Sequence, residues 1–353
     1  MTTMSELATS PSPAALTEEL RGKQERYEQG GLASSTKRSY AHLFAAWLRY
    51  CDDTGTPVWA AADTMEPWFQ ALKNFLTLRA EEVRASTVKA AITAIKNEAT
   101  IQEQPFSLAV LNSPQLKRFL DGVLAAEVAD GRHRTRQAPV FTHEHLDAVY
   151  ARAKQEGTVQ ALRDAALFAV GLGTGLRADN LVRLSLADVE RAVSHSGFNF
   201  FIGKEKTSQH GNGRYVSLKP ATGSLAHRDP VARVEAWLDK HRGLIVTEPG
   251  AAPAPLFTQT TGAQGHTILP LADNRSVTDI IRSALVKSGA CSTEEAAAFS
   301  SHSFRSTFIT WALAAGTSQA DVSVITGHKS LATMARYNRR AVEDAAHTDY
   351  LAG

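Results

Sequence analysis

The sequence predicts a mainly α protein (α+β class) of two domains, with a small β-hairpin set into the second. Three observations carry this. Apolar residues recur at helical spacing from about residue 35 to 129. A Gly/Pro-bracketed basic stretch, 130–139, interrupts that pattern. Beyond it, two short alternating runs, Phe198 to Gly203 and Arg214 to Leu218, flank the turn-rich Thr207–Gly213.

The elements follow in order. Residues 1–20 are rich in Ser, Thr, Ala and Pro, without a strong period, and are expected to be a flexible tail. The first domain is then expected over 21–129. Ser35 or Thr36 caps a helix with Tyr40, Leu43, Phe44, Trp47 and Leu48 on one face, and Lys37 and Arg38 at its start. A second helix starts near Pro67 and buries Trp68, Leu72, Phe75 and Leu76. Ser86 caps a third, with Val88, Ile92 and Ile95 inward and Lys89 and Lys96 outward. Ser113-Pro114 opens a fourth, because proline at the first helical position loses no hydrogen bond. Residues 130–139 form an interdomain linker whose Arg132, Arg134 and Arg136 suit a strap on a phosphate backbone.

The second domain is expected over 140–353. Thr142 caps its first helix, and another runs over about 158–171. That helix ends in Gly171-Leu-Gly-Thr-Gly-Leu-Arg177, read as a glycine-rich turn and not as a dinucleotide fingerprint, since no strand precedes it. Lys204 and Lys206 lie at the mouth of the hairpin. Helices follow at 229–241, 276–288, 304–315, 318–326 and 331–338, with a short helix in the tail. Gly316 stops one helix before the next is capped by Ser318.

Composition narrows the function. With 353 residues, 43% of them hydrophobic, the chain can build two cores. A net charge of +2 requires that any nucleic-acid affinity come from local clusters of basic residues. Cys51 and Cys291 have neither metal nor redox spacing and fit a reducing cytosol. No signal peptide and no apolar run of 18 residues is visible, so no membrane partner is expected.

The chemistry concentrates near the end. Between 301 and 340 stand five Lys/Arg and one acid, Asp321, together with His302, His328 and Tyr337. A phosphodiester there would meet cations for its oxygens and a phenol able to attack it. Each piece alone is commonplace; the ordered conjunction is not. Arg177 after Gly-Thr-Gly-Leu, a hairpin lysine, His302-x-x-Arg305, Gly327-His328 and Tyr337 resemble the active-site set of the tyrosine recombinase (lambda-integrase-like) family, of Cre/Xer type. Spacings of 23 residues from Arg305 to His328 and 9 from His328 to Tyr337 agree with that resemblance.

The resemblance implies a helical core-binding (SAM-like) domain and a catalytic domain closing as a C-shaped clamp around duplex DNA. It implies Tyr337 as nucleophile, forming a 3′-phosphotyrosyl bond. Arg177 and Arg305 would clamp the phosphate, His302 would serve as acid/base partner, and His328 would donate a hydrogen bond. Lys206 is the candidate general acid and Lys204 the fallback. No cofactor is implied, because the covalent bond conserves the energy of the broken linkage. Lys37, Arg38, Lys89, Lys96, Arg132, Arg134 and Arg136 are the candidate DNA contacts. The implied partners are a specific duplex site and further copies of the chain, four on two sites, with the terminal helix docking into a neighbour. A cytoplasmic, nucleoid-associated location follows. The family commonly has an acidic residue three positions after its first arginine, where this chain has Asn180 beside Asp179. Two competing readings are a type IB topoisomerase, which shares nucleophile and clamp, and a helix-turn-helix regulator built on 304–326.

Overall fold

The computed structural model describes residues 20, 23, 34–132, 138–203, 213–244 and 252–327. The chain divides into two compact units, Met1–Arg136 and Gln137–Gly353. Residues 1–19 of the tail, Arg134, Arg136, and the expected helices over 331–338 and at the C-terminus lie outside the described residues.

The first unit is helical throughout its described part: α1 (Ser34–Thr54), α2 (Met65–Glu82), α3 (Ala85–Ile101), α4 (Pro105–Leu111) and α5 (Pro114–Ala129). Trp47 sits at its centre, edge-on to Trp68 (ring centroids 5.7 Å apart) and to Phe75 (5.3 Å). Both indoles must find an acceptor once buried. Trp47 Nε1 donates to the Val58 carbonyl at 3.2 Å, and Trp68 Nε1 to that of Pro57 at 3.1 Å, which pins the α1–α2 connection. Trp68, Leu72, Phe75 and Leu76 are buried as their spacing predicts. Leu48 is not: it is 39% exposed, because it falls beside the stripe that Leu43 and Trp47 define.

Three features of this unit differ from expectation. The helix α1 begins at Ser34, so neither Ser35 nor Thr36 precedes it as a cap. Ser86 does not cap α3, which begins one residue earlier, after Arg84. Instead the Ala85 N–H donates to the buried Glu127 carboxylate at 3.1 Å. A carboxylate from α5 thus meets the positive end of α3, a cap supplied by packing rather than by the local chain. The helix α4 has no counterpart in the sequence reading. Its seven residues are too short for a clear period, and it is held by Ser107, whose buried hydroxyl accepts from the Ala60 N–H at 2.8 Å.

The second unit surrounds one buried helix. Thr142 caps α6 (His143–Glu156), and Thr158 caps α7 (Val159–Thr174). Nearly all of α7 is buried, as expected of a helix apolar on every side. Then come α8 (Ala178–Arg183), β1 (Val189–Arg191), β2 (Phe198–Ile202), β3 (Arg214–Leu218), α9 (Pro230–Arg242), β4 (Thr258–Thr261), β5 (Gly265–Pro270), α10 (Asn274–Lys287), α11 (Thr293–Ala296), α12 (Ser301–Ala314) and α13 (Gln319–Thr326). The strands form an antiparallel β1-β2-β3 sheet and a separate β4-β5 hairpin. The pairing of β2 with β3 runs from Phe198↔Leu218 to Ile202↔Arg214, as the alternation predicts. Both β1 and the β4-β5 hairpin are additions to the sequence reading, too short or too Thr/Gly-rich to carry a legible alternation.

An aromatic cluster ties α12 to α7. Phe141 stacks on Phe299 at 4.8 Å, and Phe304 meets Phe168 edge-on at 5.0 Å. A buried ion network braces the far side of α7. Asp164 receives Arg163 Nε at 2.8 Å and Arg152 Nη1 at 3.3 Å, while Arg163 Nη1 reaches the Thr258 carbonyl at 2.9 Å.

Candidate active site

The stretch 171–177 is the floor of the site, and most of it is not a turn. Gly171 and Gly173 lie inside α7; only Gly175, at φ +61°, ends it in the left-handed region. Glycine is needed in the helix for another reason, close approach. A Cβ on Gly171 would lie 2.6 Å from the Phe304 ring, and one on Gly173 would strike Leu218 of β3. At Gly175 a Cβ would lie 2.5 Å from Phe308. The missing side chains thus admit α12 and β3 against the end of α7.

Arg177 follows as the N-cap of α8. The residue is half-buried, and its Nη1 is enclosed with no hydrogen-bond partner among the described residues. A buried guanidinium nitrogen without an acceptor is costly, and such groups persist where a ligand is meant to satisfy them.

Arg305 approaches from α12. That helix starts at Ser301, three residues before the expected start, because Ser300 and Ser303 form a reciprocal capping box. Arg305 is 2% exposed. Its Nη1 donates to the Gly175 carbonyl at 3.2 Å, and its Nη2 donates to the Thr326 carbonyl at the end of α13.

His302 stands one turn earlier, in the first turn of α12, with its side chain at the surface. Its pKa is lowered from the ordinary histidine range by partial loss of hydration, then by the charges of Arg305 and Arg177. The imidazole is therefore neutral at pH 7, beside two guanidiniums. The structure thus brings together Arg177, His302 and Arg305, which come from two separate stretches of the sequence. Lys204, Lys206, His328 and Tyr337 lie outside the described residues; Gly203 and Gly213 bracket the first pair, and Gly327 leads directly into His328. Asn180 is buried in α8, and its N–H donates to the Arg177 carbonyl at 2.9 Å.

Of the candidate DNA contacts in the first unit, Lys37, Arg38, Lys89, Lys96 and Arg132 are described, and these are exposed. Tyr40 and Ala90 both pack on the cluster of Leu43, Ala91 and Ala94, so the start of α1, with Lys37 and Arg38, lies beside the Lys89 region of α3. Lys89 stands 3.9 Å from Asp121, and Lys96 donates to Asn112. Arg132 is turned back on its own unit, donating to the Ala80 carbonyl at 3.0 Å and to Asp130 at 3.2 Å. Of the linker arginines it is the one described, and this conformation does not present it as a strap.

Among the described residues, no group of three or more His, Cys, Asp or Glu side chains could hold a metal ion. No helix among them is long and apolar enough to cross a membrane.

Residues 139–344 match the model of the phage integrase family. The chain belongs to that family. No curated protein matches this integrase in sequence. Solved structures do match its fold. A Tn1549 transposon integrase in complex with transposon right end DNA aligns with a TM-score of 0.53 at 14% identity, over 89% of this chain and 92% of that one. The XerH site-specific recombinase bound to a palindromic difH substrate, a post-cleavage complex, gives 0.51 at 16% identity, over 79% and 72%. A lambda integrase dimer bound to a COC′ core site gives 0.50 at 15% identity, over 90% and 96%. The integrase is a tyrosine recombinase by family. Membership sets aside the regulator reading.

Proposed function

We propose that this recombinase cuts and rejoins duplex DNA through a 3′-phosphotyrosyl intermediate on Tyr337. What supports this most directly is the pairing of Arg177 with Arg305 around a neutral His302, with Arg177 Nη1 lacking an acceptor among the described residues.

A phenol of pKa near 10 is phenolate in only about one molecule in a thousand at neutral pH. Attack therefore needs a base to take its proton and donors to hold the charge that builds on the phosphate. Neutral His302 suits the first task. Two guanidiniums, charged at every working pH, suit the second. As Tyr337 Oη bonds to phosphorus, the bond to the 5′ oxygen breaks, and that oxygen takes a proton from Lys206, with Lys204 the fallback. Reversal by a free 5′ hydroxyl reseals the strand, so the linkage energy is kept in the covalent bond.

In this reading, His328 hydrogen-bonds the phosphate, and four copies on two sites exchange strands in pairs through a Holliday junction. The chain after residue 340 docks into a neighbouring copy. Lys37, Arg38, Lys89 and Lys96 contribute phosphate contacts that set affinity and its salt dependence. Arg132, Arg134 and Arg136 join them once Arg132 leaves Asp130.

Covalent trapping tests the reading. Wild type and Tyr337→Phe are incubated with nicked duplexes tiled across the DNA flanking the gene. A denaturant-resistant protein–DNA adduct with wild type alone is expected. An adduct of equal yield with Tyr337→Phe would overturn the assignment.

A further inference from the structure

We propose that Arg214 is a positioning residue for strand transfer: it locks β3 to the C-terminal end of α13. The inference rests on the reading above for its consequence in catalysis, but its geometry stands alone. Arg214 forms the last pair of the β2–β3 ladder, opposite Ile202. Period-two alternation puts it on the same face as Val216 and Leu218, both buried, so its side chain points inward from a half-buried position. There its Nη1 donates to the Ile325 carbonyl at 2.8 Å.

Ile325 and Thr326 end α13 just before Gly327, which closes the helix at φ +66°. Their carbonyls carry the negative end of the helix dipole, which favours a cation. Two guanidiniums from different elements take the two successive carbonyls: Arg214 of β3 on Ile325 and Arg305 of α12 on Thr326. Arg305 also holds the Gly175 carbonyl at the end of α7. At the other end of β3, Leu218 fills the space over Gly173. Strand, clamp helix and the point from which His328 departs are thereby one hydrogen-bonded body. The segment carrying Lys206 begins and ends on the strands that Arg214 anchors. Arg214 thus holds the strand that leads out of the Lys206 segment in register with the phosphate clamp.

The test uses the full chain with Arg214→Met, which keeps bulk but removes the donors, and Arg214→Lys, which keeps the charge on a single donor nitrogen. Amide hydrogen exchange without DNA reads the lock, independently of chemistry. Faster exchange is expected in both 213–218 and 319–327 for Arg214→Met, and an intermediate rate for Arg214→Lys. Cleavage is then measured on ordinary DNA and on DNA with sulfur in place of the bridging 5′ oxygen. A thiol of pKa about 8.5 leaves without help from an acid. Arg214→Met is expected to lose about 10²-fold on ordinary DNA, the scale of a small misplacement, and to recover most of it with sulfur, as Lys206→Ala should. A role in folding alone would slow both substrates alike. Unchanged exchange at 319–327, or a deficit that sulfur leaves untouched, overturns the proposal. Should Arg214→Met not fold, Arg214→Lys carries the same comparison. Failure of wild type to form any adduct would count against the functional reading; the exchange measurement still decides the lock.

Discussion

Arg305 donates through Nη1 to the carbonyl of Gly175 at 3.2 Å, two residues before Arg177. A single side chain therefore sets the distance between the two arginines proposed to clamp the phosphate. Its second bond, to Thr326, also places the end of α13. Arg305→Lys should fail at both tasks, because an ammonium on a flexible stem cannot span two carbonyls as a planar fork does. Adduct formation should fall by about 10²–10³. Arg305→Ala should also lower stability, by about 1–3 kcal/mol for each buried carbonyl left without a donor. Thermal melts beside trapping yields separate the two effects.

Arg177 should behave differently. Its enclosed Nη1 makes no bond among the described residues, so folding gains nothing there. Arg177→Met should leave the melting temperature unchanged or raised while cutting adduct yield by about 10²–10³. A large drop in melting temperature would show that Arg177 is structural.

Two glycines in helices should respond with opposite signs. A Cβ on Gly122, in α5, meets nothing within 4 Å, so Gly122→Ala should stabilise by about 0.5–1 kcal/mol. Gly171→Ala would gain the same propensity, but its Cβ falls 2.6 Å from the fully buried Phe304 ring. Overpacking of about 1–3 kcal/mol should win, and cleavage should suffer as well because Phe304 adjoins Arg305. Denaturant midpoints and trapping yields on both variants check this.

His302 predicts the acid limb of activity. Its pKa is lowered, so the neutral form persists through neutral pH, and cleavage should weaken only below the ordinary histidine value of about 6.5. Single-turnover cleavage against pH should show this limb in wild type and lose it in His302→Gln.

A histidine pair away from the candidate site governs stability in acid. His241, fully buried, pairs through Nδ1 with His266 Nε2 at 2.8 Å and through Nε2 with the Pro255 carbonyl at 2.8 Å. The carbonyl requires a proton on His241 Nε2, so Nδ1 accepts from His266. Loss of hydration lowers both pKa values. A folded pKa below the unfolded one means that the unfolded chain binds more protons. Stability is therefore full above about pH 6.5 and is lost as pH falls below it. Melting temperatures from pH 7.5 to 5 should decline, and His241→Gln should flatten the slope.

Much of this was legible in residue order. Helical spacing located Trp68, Leu72, Phe75 and Leu76 in the core, and strand alternation located the β2–β3 pairing. The ordered set Arg177, His302, Arg305 resembled its family before any geometry was known. Arg214 was missed, although Arg214-x-Val216-x-Leu218 shows it on the inward face. Its target carbonyl leaves no mark in the sequence.

The sequence by itself determined the elements whose signals act within a turn or a strand pair. The Thr142 and Ser113 caps and the apolar stripes belong to that class, since each depends on neighbours a few residues away. Only the tertiary structure decided which groups meet across the chain. Glu127 caps α3, Gly171 admits Phe304, and Arg214 reaches Ile325 across 111 residues. Such contacts depend on how whole elements pack, and a backbone carbonyl looks the same in every residue until the fold turns one of them toward a guanidinium.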